Sequence, residues 1–237
     1  AVQNLINIEP DDKIKAYIRT NDLKDQEYIN KMNVVMITKN GTIKKTSLEA
    51  YSRPRTNGVN AIEIRDNDQL LGARLTDGNS EIMIATKDGK CIRFPEEKAR
   101  AVGRGSIGVR GITLSEGDEV IGMIVVNDVQ NETVLVVSER GYGKRTAVED
   151  YRITNRGGKG VITLNITEKT GNLIAIQMVT DDDGLMIINK SGVAIRMGMD
   201  EMRVMGRNTQ GVKVINLKKN DEIAAIAAEA IRVTTLT

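Results

Sequence analysis

The chain has 237 residues, 34 lysines and arginines against 32 aspartates and glutamates, a formal net charge of +2, 3% aromatic residues and neither tryptophan nor histidine. That length buries a sizeable core, and the absence of histidine excludes imidazole acid–base chemistry and imidazole metal ligation. The single Cys91 excludes an intramolecular disulfide and a zinc-thiolate cluster; no run approaches the ~18 apolar residues of a membrane span, and Ala1 to Leu5 carries no signal-peptide pattern, so a cytoplasmic protein without a membrane partner is expected.

In chain order, residues 1–30 read as the tail of a repeat whose front half is missing, with Asp12 standing where later copies have Asp68 and Asp118. One pattern is then written four times, over 31–79, 80–130, 131–182 and 183–230, leaving 231–237 as a C-terminal tail. Each copy opens on an apolar run, at Val34 to Ile37, Ile82 to Ala85, Val134 to Val137 and Leu185 to Ile188. A polar turn ending on Gly41, Gly89, Gly141 or Gly192 follows, which predicts a β-hairpin. These glycines lie 48, 52 and 51 residues apart, the spacing of blades or an array. Ser47 to Tyr51 and Ala147 to Tyr151 predict a single helical turn. A second glycine, Gly58, Gly108, Gly160 or Gly211, each followed by valine, opens a strand ending near Ile64, Leu114, Ile166 or Leu217, and a polar turn leads to a last strand. Asp221 to Ala230 is helical by alanine propensity, but its register with Asp118 to Val126 predicts strand. The fold class is therefore all-β, a propeller-like assembly of roughly 50-residue blades, about four and a half of them present, in which radial closure protects sheet edges.

Little in the chain suits catalysis, and no catalytic or metal-binding residue is assigned. Asp181 to Asp183 reads as a solvated turn, Cys91 as a strand residue, and Tyr51 and Tyr151 as amphipathic residues under the blade. Gly103 to Gly108 matches G-x-G-x-x-G formally, but a strand rather than a helix follows it and the other copies do not keep it, which excludes a dinucleotide fingerprint.

Basic residues recur with the repeat. Lys45, Arg93, Arg145 and Arg196 stand four positions past the turn glycines, and Arg104, Arg156 and Arg207 four before three of the second glycines. Arg53 and Arg55 flank that place in the first copy, and Lys44, Arg100, Arg110, Lys144, Arg152, Lys159, Arg203 and Lys213 lie close by. One basic cluster per blade makes a positive rim on a nearly neutral protein, suited to the phosphates of a curved duplex. The scarcity of aromatics argues against stacking platforms for single strands.

Four stretches carry a family resemblance: Gly141-Tyr-Gly-Lys-Arg145-Thr146, Ser52-Arg-Pro-Arg55-Thr-Asn-Gly58, Gly103-Arg-Gly-Ser-Ile-Gly108-Val-Arg110-Gly and Val204-Met-Gly-Arg207-Asn-Thr-Gln-Gly211-Val. From Ala1 to about Ala230 the chain resembles the C-terminal domain of DNA gyrase A polypeptides. The resemblance implies a six-bladed β-pinwheel, of which this chain lacks the first blade, wrapping double-stranded DNA without sequence preference. It implies partnership with the rest of the gyrase A polypeptide and with the gyrase B polypeptide in an A2B2 assembly that introduces negative supercoils. ATP and magnesium are then bound elsewhere, and this chain carries no cofactor and no catalysis of its own. The family's hallmark heptapeptide is Gln-Arg-Arg-Gly-Gly-Lys-Gly; Thr154-Asn-Arg156-Gly157-Gly158-Lys159-Gly160 matches it at five of seven positions, which implies DNA contact by Arg156, Gly157, Gly158, Lys159 and Gly160. The DNA-binding set expected from repeat and resemblance together also holds Lys45, Arg53, Arg55, Arg93, Arg104, Arg110, Arg145, Arg196 and Arg207. The alternatives are the equivalent domain of topoisomerase IV and a protein-binding propeller scaffold.

Overall fold

The computed structural model describes residues 11–218 and 221–230. The expectations for residues 1–10 and for the 231–237 tail lie outside the described residues. Lys13 to Ile18, expected as part of a truncated blade, forms no strand; Ala16, Ile18 and Leu23 instead pack against the first sheet beside a short helix, α1 (Gln26–Lys31). Asp25 caps α1, its side chain accepting from the N–H groups of Glu27 and Tyr28, and Ile29 is buried beneath.

The strands follow as β1 (Asn33–Thr38), β2 (Thr42–Ser47), β3 (Leu70–Thr76), β4 (Glu81–Thr86), β5 (Lys90–Pro95), β6 (Val109–Arg110), β7 (Val120–Val126), β8 (Thr133–Ser138), β9 (Tyr142–Ala147), β10 (Val161–Ile162), β11 (Leu173–Val179), β12 (Asp183–Asn189), β13 (Ala194–Gly198), β14 (Val212–Lys213) and β15 (Ile223–Ala230). They form four antiparallel sheets in the orders β3-β1-β2-β6, β7-β4-β5-β10, β11-β8-β9-β14 and β15-β12-β13. The four hairpins form where the glycine turns predict them, with Gly41, Gly89, Gly141 and Gly192 all at positive φ. The helical turns appear as 3-10 turns at Leu48–Tyr51 and Val148–Asp150. Asp221 to Ala230 contributes the strand β15, because pairing with β12 along its length outweighs alanine's local helix propensity.

One difference from expectation organises the molecule. In repeats two to four the strand after the second glycine is only two residues long, and it pairs with the preceding repeat's hairpin rather than its own. β6 of repeat two closes the first sheet, β10 of repeat three the second and β14 of repeat four the third. Each of these sheets thus takes three strands from one repeat and its outermost strand from the next. In repeat one the corresponding Val59 to Ile64 forms no strand, there being no preceding hairpin among the described residues to receive it.

The inner strands β3, β7, β11 and β15 pack against one another in that order at the centre. Cores lie between successive sheets. Ile82 and Ile84 of β4 enter the core shared with the first sheet, and Met83 and Ala85 enter the one shared with the third. This period-2 division of a continuous apolar run marks a strand buried on both faces. Each fully buried aliphatic side chain contributes about 1.5–3 kcal/mol. The fourth sheet has one such face: Leu185 and Ile187 are buried against the third sheet, whereas Met186 and Ile188 are exposed on the other side.

Candidate nucleic-acid interface

Three of the four cations that stand four past the turn glycines lie between the sheets rather than on a rim. The Lys45 ammonium donates to the Glu96 carbonyl at 3.0 Å and stands 3.6 Å from the Glu96 carboxylate. The Arg93 guanidinium donates to the carbonyls of Val148 (2.8 Å) and Tyr151 (3.0 Å) and pairs with Glu81 through Nε at 2.6 Å. The Arg145 guanidinium donates to the carbonyls of Met199 (2.7 Å) and Met202 (3.3 Å), to Thr133 and to Asp181. In every case the acceptors include carbonyls of the short turn in the next repeat. Lys45, Arg93 and Arg145 are buried, and their donors are committed. This corrects the expectation that they form an accessible phosphate-binding rim: repetition of the charge follows repetition of an interface. Arg196, the fourth member, is exposed on β13 with no hydrogen-bond partner among the described residues.

The second set is half-buried, and two of its three members bridge backward. Arg156 donates through Nε to Lys98 O (2.8 Å) and through Nη1 to Arg110 O (2.9 Å). Arg207 repeats the contact with Asp150 O (2.6 Å) and Ile162 O (2.8 Å). Each guanidinium therefore locks its loop to the preceding repeat while part of it stays accessible. Arg104 is half-buried too.

The heptapeptide-like loop is fixed through its backbone. The Gly157 N–H donates to Gly111 O at 2.7 Å, the Thr113 N–H to Gly158 O at 2.9 Å and the Thr113 hydroxyl to Gly157 O at 2.6 Å. Gly160 lies tight against Cys91, whereas Gly158 and Lys159 are exposed. The stretch leading into each loop lies parallel to the preceding hairpin, with bridges Lys45 to Ala101, Arg93 to Ile153 and Arg145 to Val204. Loop and two-residue strand together form the outermost layer of each of the first three sheets.

Exposed cations stand on this layer at Arg100, Arg110, Arg152, Lys159, Arg203 and Lys213, and Arg53 and Arg55 occupy the corresponding stretch of repeat one. None of them forms an ion pair among the described residues. At the hairpin turns two cations are instead paired, Lys39 with Glu119 (2.8 Å) and Lys190 with Glu222 (2.6 Å), while Arg140 donates to the Glu168 carbonyl. Asp183, in the acidic run, accepts from the Thr180 N–H at 2.7 Å, and no group of three or more metal-ligating side chains occurs among the described residues. No described helix is long and apolar enough to cross a membrane.

Two residues that the repeat pattern marks only as neighbouring charges have a larger part. Lys44 and Lys144 are buried, and each ammonium reaches a loop of the next repeat: Lys44 donates to Arg104 O there and to Ala61 O (2.5 Å) of its own repeat, Lys144 to Gly206 O (2.8 Å), Arg207 O and Thr209 O (3.3 Å). The available signal is their alternation with Ile92 and Ile195, which places lysine at an inward strand position. Tyr51 and Tyr151 share the alternation and hydrogen-bond beneath the same sheets, to Ala61 O and the Thr163 hydroxyl.

Cys91 is fully buried on β5, and burial pushes its thiol up, out of the range in which a thiolate forms at neutral pH. A thiol reagent at pH 8 is expected to label it only as fast as the protein unfolds, measured by mass spectrometry against a urea series; labelling at the rate of a free thiol contradicts this burial.

Comparison with known proteins matches this geometry. The family model described as "DNA gyrase C-terminal domain, beta-propeller" matches four times, over residues 33–77, 80–127, 132–180 and 185–228. The DNA gyrase A polypeptide of Staphylococcus aureus is 43% identical over 226 residues, 95% of this chain. The chain spans about a quarter of that relative's length (25%). Among solved structures, a DNA topoisomerase IV C-terminal domain aligns at TM-score 0.87 over 97% of this chain and 70% of the other. A DNA gyrase A C-terminal domain aligns at 0.82 over 96% and 74%. Both are 24% identical and speak for the fold alone. Fourfold repetition, strand exchange between repeats and the family match agree that the chain belongs to the DNA gyrase A C-terminal domain family.

Proposed function

We propose that the chain binds duplex DNA without sequence preference along the outermost layer of its sheets, curving the duplex around the perimeter. The carrying observation is the set of exposed cations free of ion pairs among the described residues, with Arg100, Arg152 and Arg203 recurring at one repeat position on successive sheets, beside the paired turn cations Lys39 and Lys190. Unpaired arginine and lysine replace condensed counterions on phosphate, whereas a cation already held by a carboxylate gains less. Bending 20–30 bp through 40–90° costs on the order of 1–6 kcal/mol, which several such contacts offset. Arg53, Arg55, Arg104, Arg110, Arg156, Gly157, Gly158, Lys159, Gly160, Arg196 and Arg207 remain the proposed contacts; the buried Lys45, Arg93 and Arg145 act as inter-repeat bolts.

In the larger protein this binding serves a gyrase A polypeptide that works with a gyrase B polypeptide in an A2B2 assembly, where ATP and magnesium bound elsewhere drive negative supercoiling. The 43% identity to a gyrase A polypeptide supports gyrase over topoisomerase IV.

Duplex affinity is expected to fall steeply with salt, with a slope of about −0.9 per phosphate neutralised. Lys159→Ala should weaken binding to unrelated sequences alike and reduce the slope by about 0.9. Fluorescence anisotropy over a salt series measures both. A flat salt profile sinks the duplex reading in favour of a protein-binding scaffold, and loss confined to one DNA sequence points to base readout.

A further inference from the structure

The ammonium of Lys144 is sealed from solvent, yet it faces no carboxylate at hydrogen-bond distance. Its partners are the carbonyls of Gly206, Arg207 and Thr209 and the Thr209 hydroxyl, all in the loop of the next repeat. In a planar trans peptide the N–H of the following residue points opposite to the carbonyl. Three carbonyls turned inward therefore turn the N–H groups of Arg207, Asn208 and Gln210 outward, and none of these meets an acceptor among the described residues. Unsatisfied backbone N–H groups of neighbouring residues in a turn, beside a guanidinium, are the donors from which an anion site is built. Lys44 repeats the arrangement more simply, drawing Arg104 O inward and leaving the Gly105 N–H outward. Where the strand carries Ile92, the loop above is held by Thr113, and a Cβ added at Gly158 would stand 3.5 Å from the Ile92 Cδ1 methyl, with no cation beneath.

We propose that Lys144 is a positioning residue for duplex phosphate: from inside the protein it presets the 206–210 backbone as a phosphate cradle, and Lys44 does the same for the loop at Gly105. The inference rests on the duplex reading above and adds to it that alternate loops are braced by a buried cation that never touches DNA. The charged groups acting on Lys144 are Arg207 of the loop and Asp150 of the 3-10 turn; burial first, then Arg207, lowers its pKa to about 8. A neutral amine has one donor fewer for three carbonyls, so the cradle loosens as pH passes 8.

The test is Lys144→Ile, which installs the side chain found at the equivalent Ile92 and Ile195. Duplex affinity of the 237-residue chain, measured by anisotropy at pH 7 over a salt series, should fall about tenfold, the scale of losing hydrogen bonds to a charged group. The salt slope should stay at the unsubstituted value, because no DNA-contacting charge is removed, whereas Lys159→Ala lowers it. Unsubstituted affinity should decline between pH 7 and 9, and that decline should shrink in Lys144→Ile. Stability moves the opposite way: the folded state holds this proton less tightly than the unfolded chain, so titration of Lys144 raises stability from pH about 8 toward the ordinary lysine value of 10.5. Weaker binding together with unchanged or higher stability is thus not unfolding. Affinity equal to the unsubstituted chain, or a slope reduced by a full contact, overturns the positioning role. If Lys144→Ile does not fold, a flat affinity of the unsubstituted chain from pH 7 to 9 overturns it alone. Absence of salt-dependent duplex binding by the unsubstituted chain overturns the duplex reading instead.

Discussion

Arg93→Ala is expected to destabilise the chain by about 3–5 kcal/mol, the scale of removing one partner from a buried ion pair. The guanidinium is 6% exposed and holds three acceptors at once: the Glu81 carboxylate at the start of β4 and the carbonyls of Val148 and Tyr151 in the next repeat. Truncation leaves a largely buried carboxylate unpaired and two carbonyls without a donor, and opens a gap where repeats two and three meet. Arg93→Lys should recover part of the loss, since Lys45 performs the equivalent task in repeat one with one carbonyl and one carboxylate. A planar guanidinium spans acceptors that a compact ammonium cannot reach together. Urea denaturation gives the stability change, and duplex binding measured below the unfolding transition should keep its salt slope. Unchanged stability with a slope reduced by about 0.9 would instead make Arg93 a phosphate contact.

That outcome bears on how far the sequence was legible. The hairpins were, because a strand buried on both faces must be continuously apolar and its turn must end on a residue tolerant of positive φ, as Gly41 to Gly192 do. Repeat register also settled β15 against its alanine content, since ladder pairing with β12 outweighs local propensity. The donation of β6, β10 and β14 to the preceding sheet was not legible: two residues of strand carry no local signature of which hairpin they join. That donation decides where the cations lie. Recurrence of Lys45, Arg93 and Arg145 is what a phosphate rim requires, but a repeated contact between repeats requires it equally. The deciding fact is the direction of a strand side chain relative to a neighbour from the next repeat. Arg152, Lys159 and Arg203 read correctly as surface charges, because they sit in polar loops beside glycines rather than on an alternating strand. Helix α1 carries only a faint sequence signal: Asp25 followed by Glu27 marks an N-terminus, but six residues are too few for an apolar period.

Gly160→Ala tests the strand exchange directly, with an expected loss of about 3 kcal/mol. Gly160 has φ +72, where a side chain costs about 1–2 kcal/mol. Its added Cβ would also lie 2.6 Å from Cys91 O and 2.8 Å from Cys91 C, backbone of the preceding hairpin that cannot swing aside as a side-chain tip can. Overpacking of that kind adds about 1–3 kcal/mol. Gly58 supplies the internal control, with the same repeat position and φ +74 but nothing within 4 Å of an added Cβ, so Gly58→Ala should cost only the conformational part, about 1 kcal/mol. Equal losses at the two sites, measured by urea denaturation, would mean that contact with the preceding repeat contributes nothing at Gly160. The expected inequality reaches function, because Gly160 seats β10 on β5 and fixes the loop that carries Arg156 and Lys159. Gly160→Ala should therefore weaken duplex binding more than Lys159→Ala does, although it removes no charge: a phosphate track assembled from successive repeats depends on the glycine that lets one repeat lie against the next.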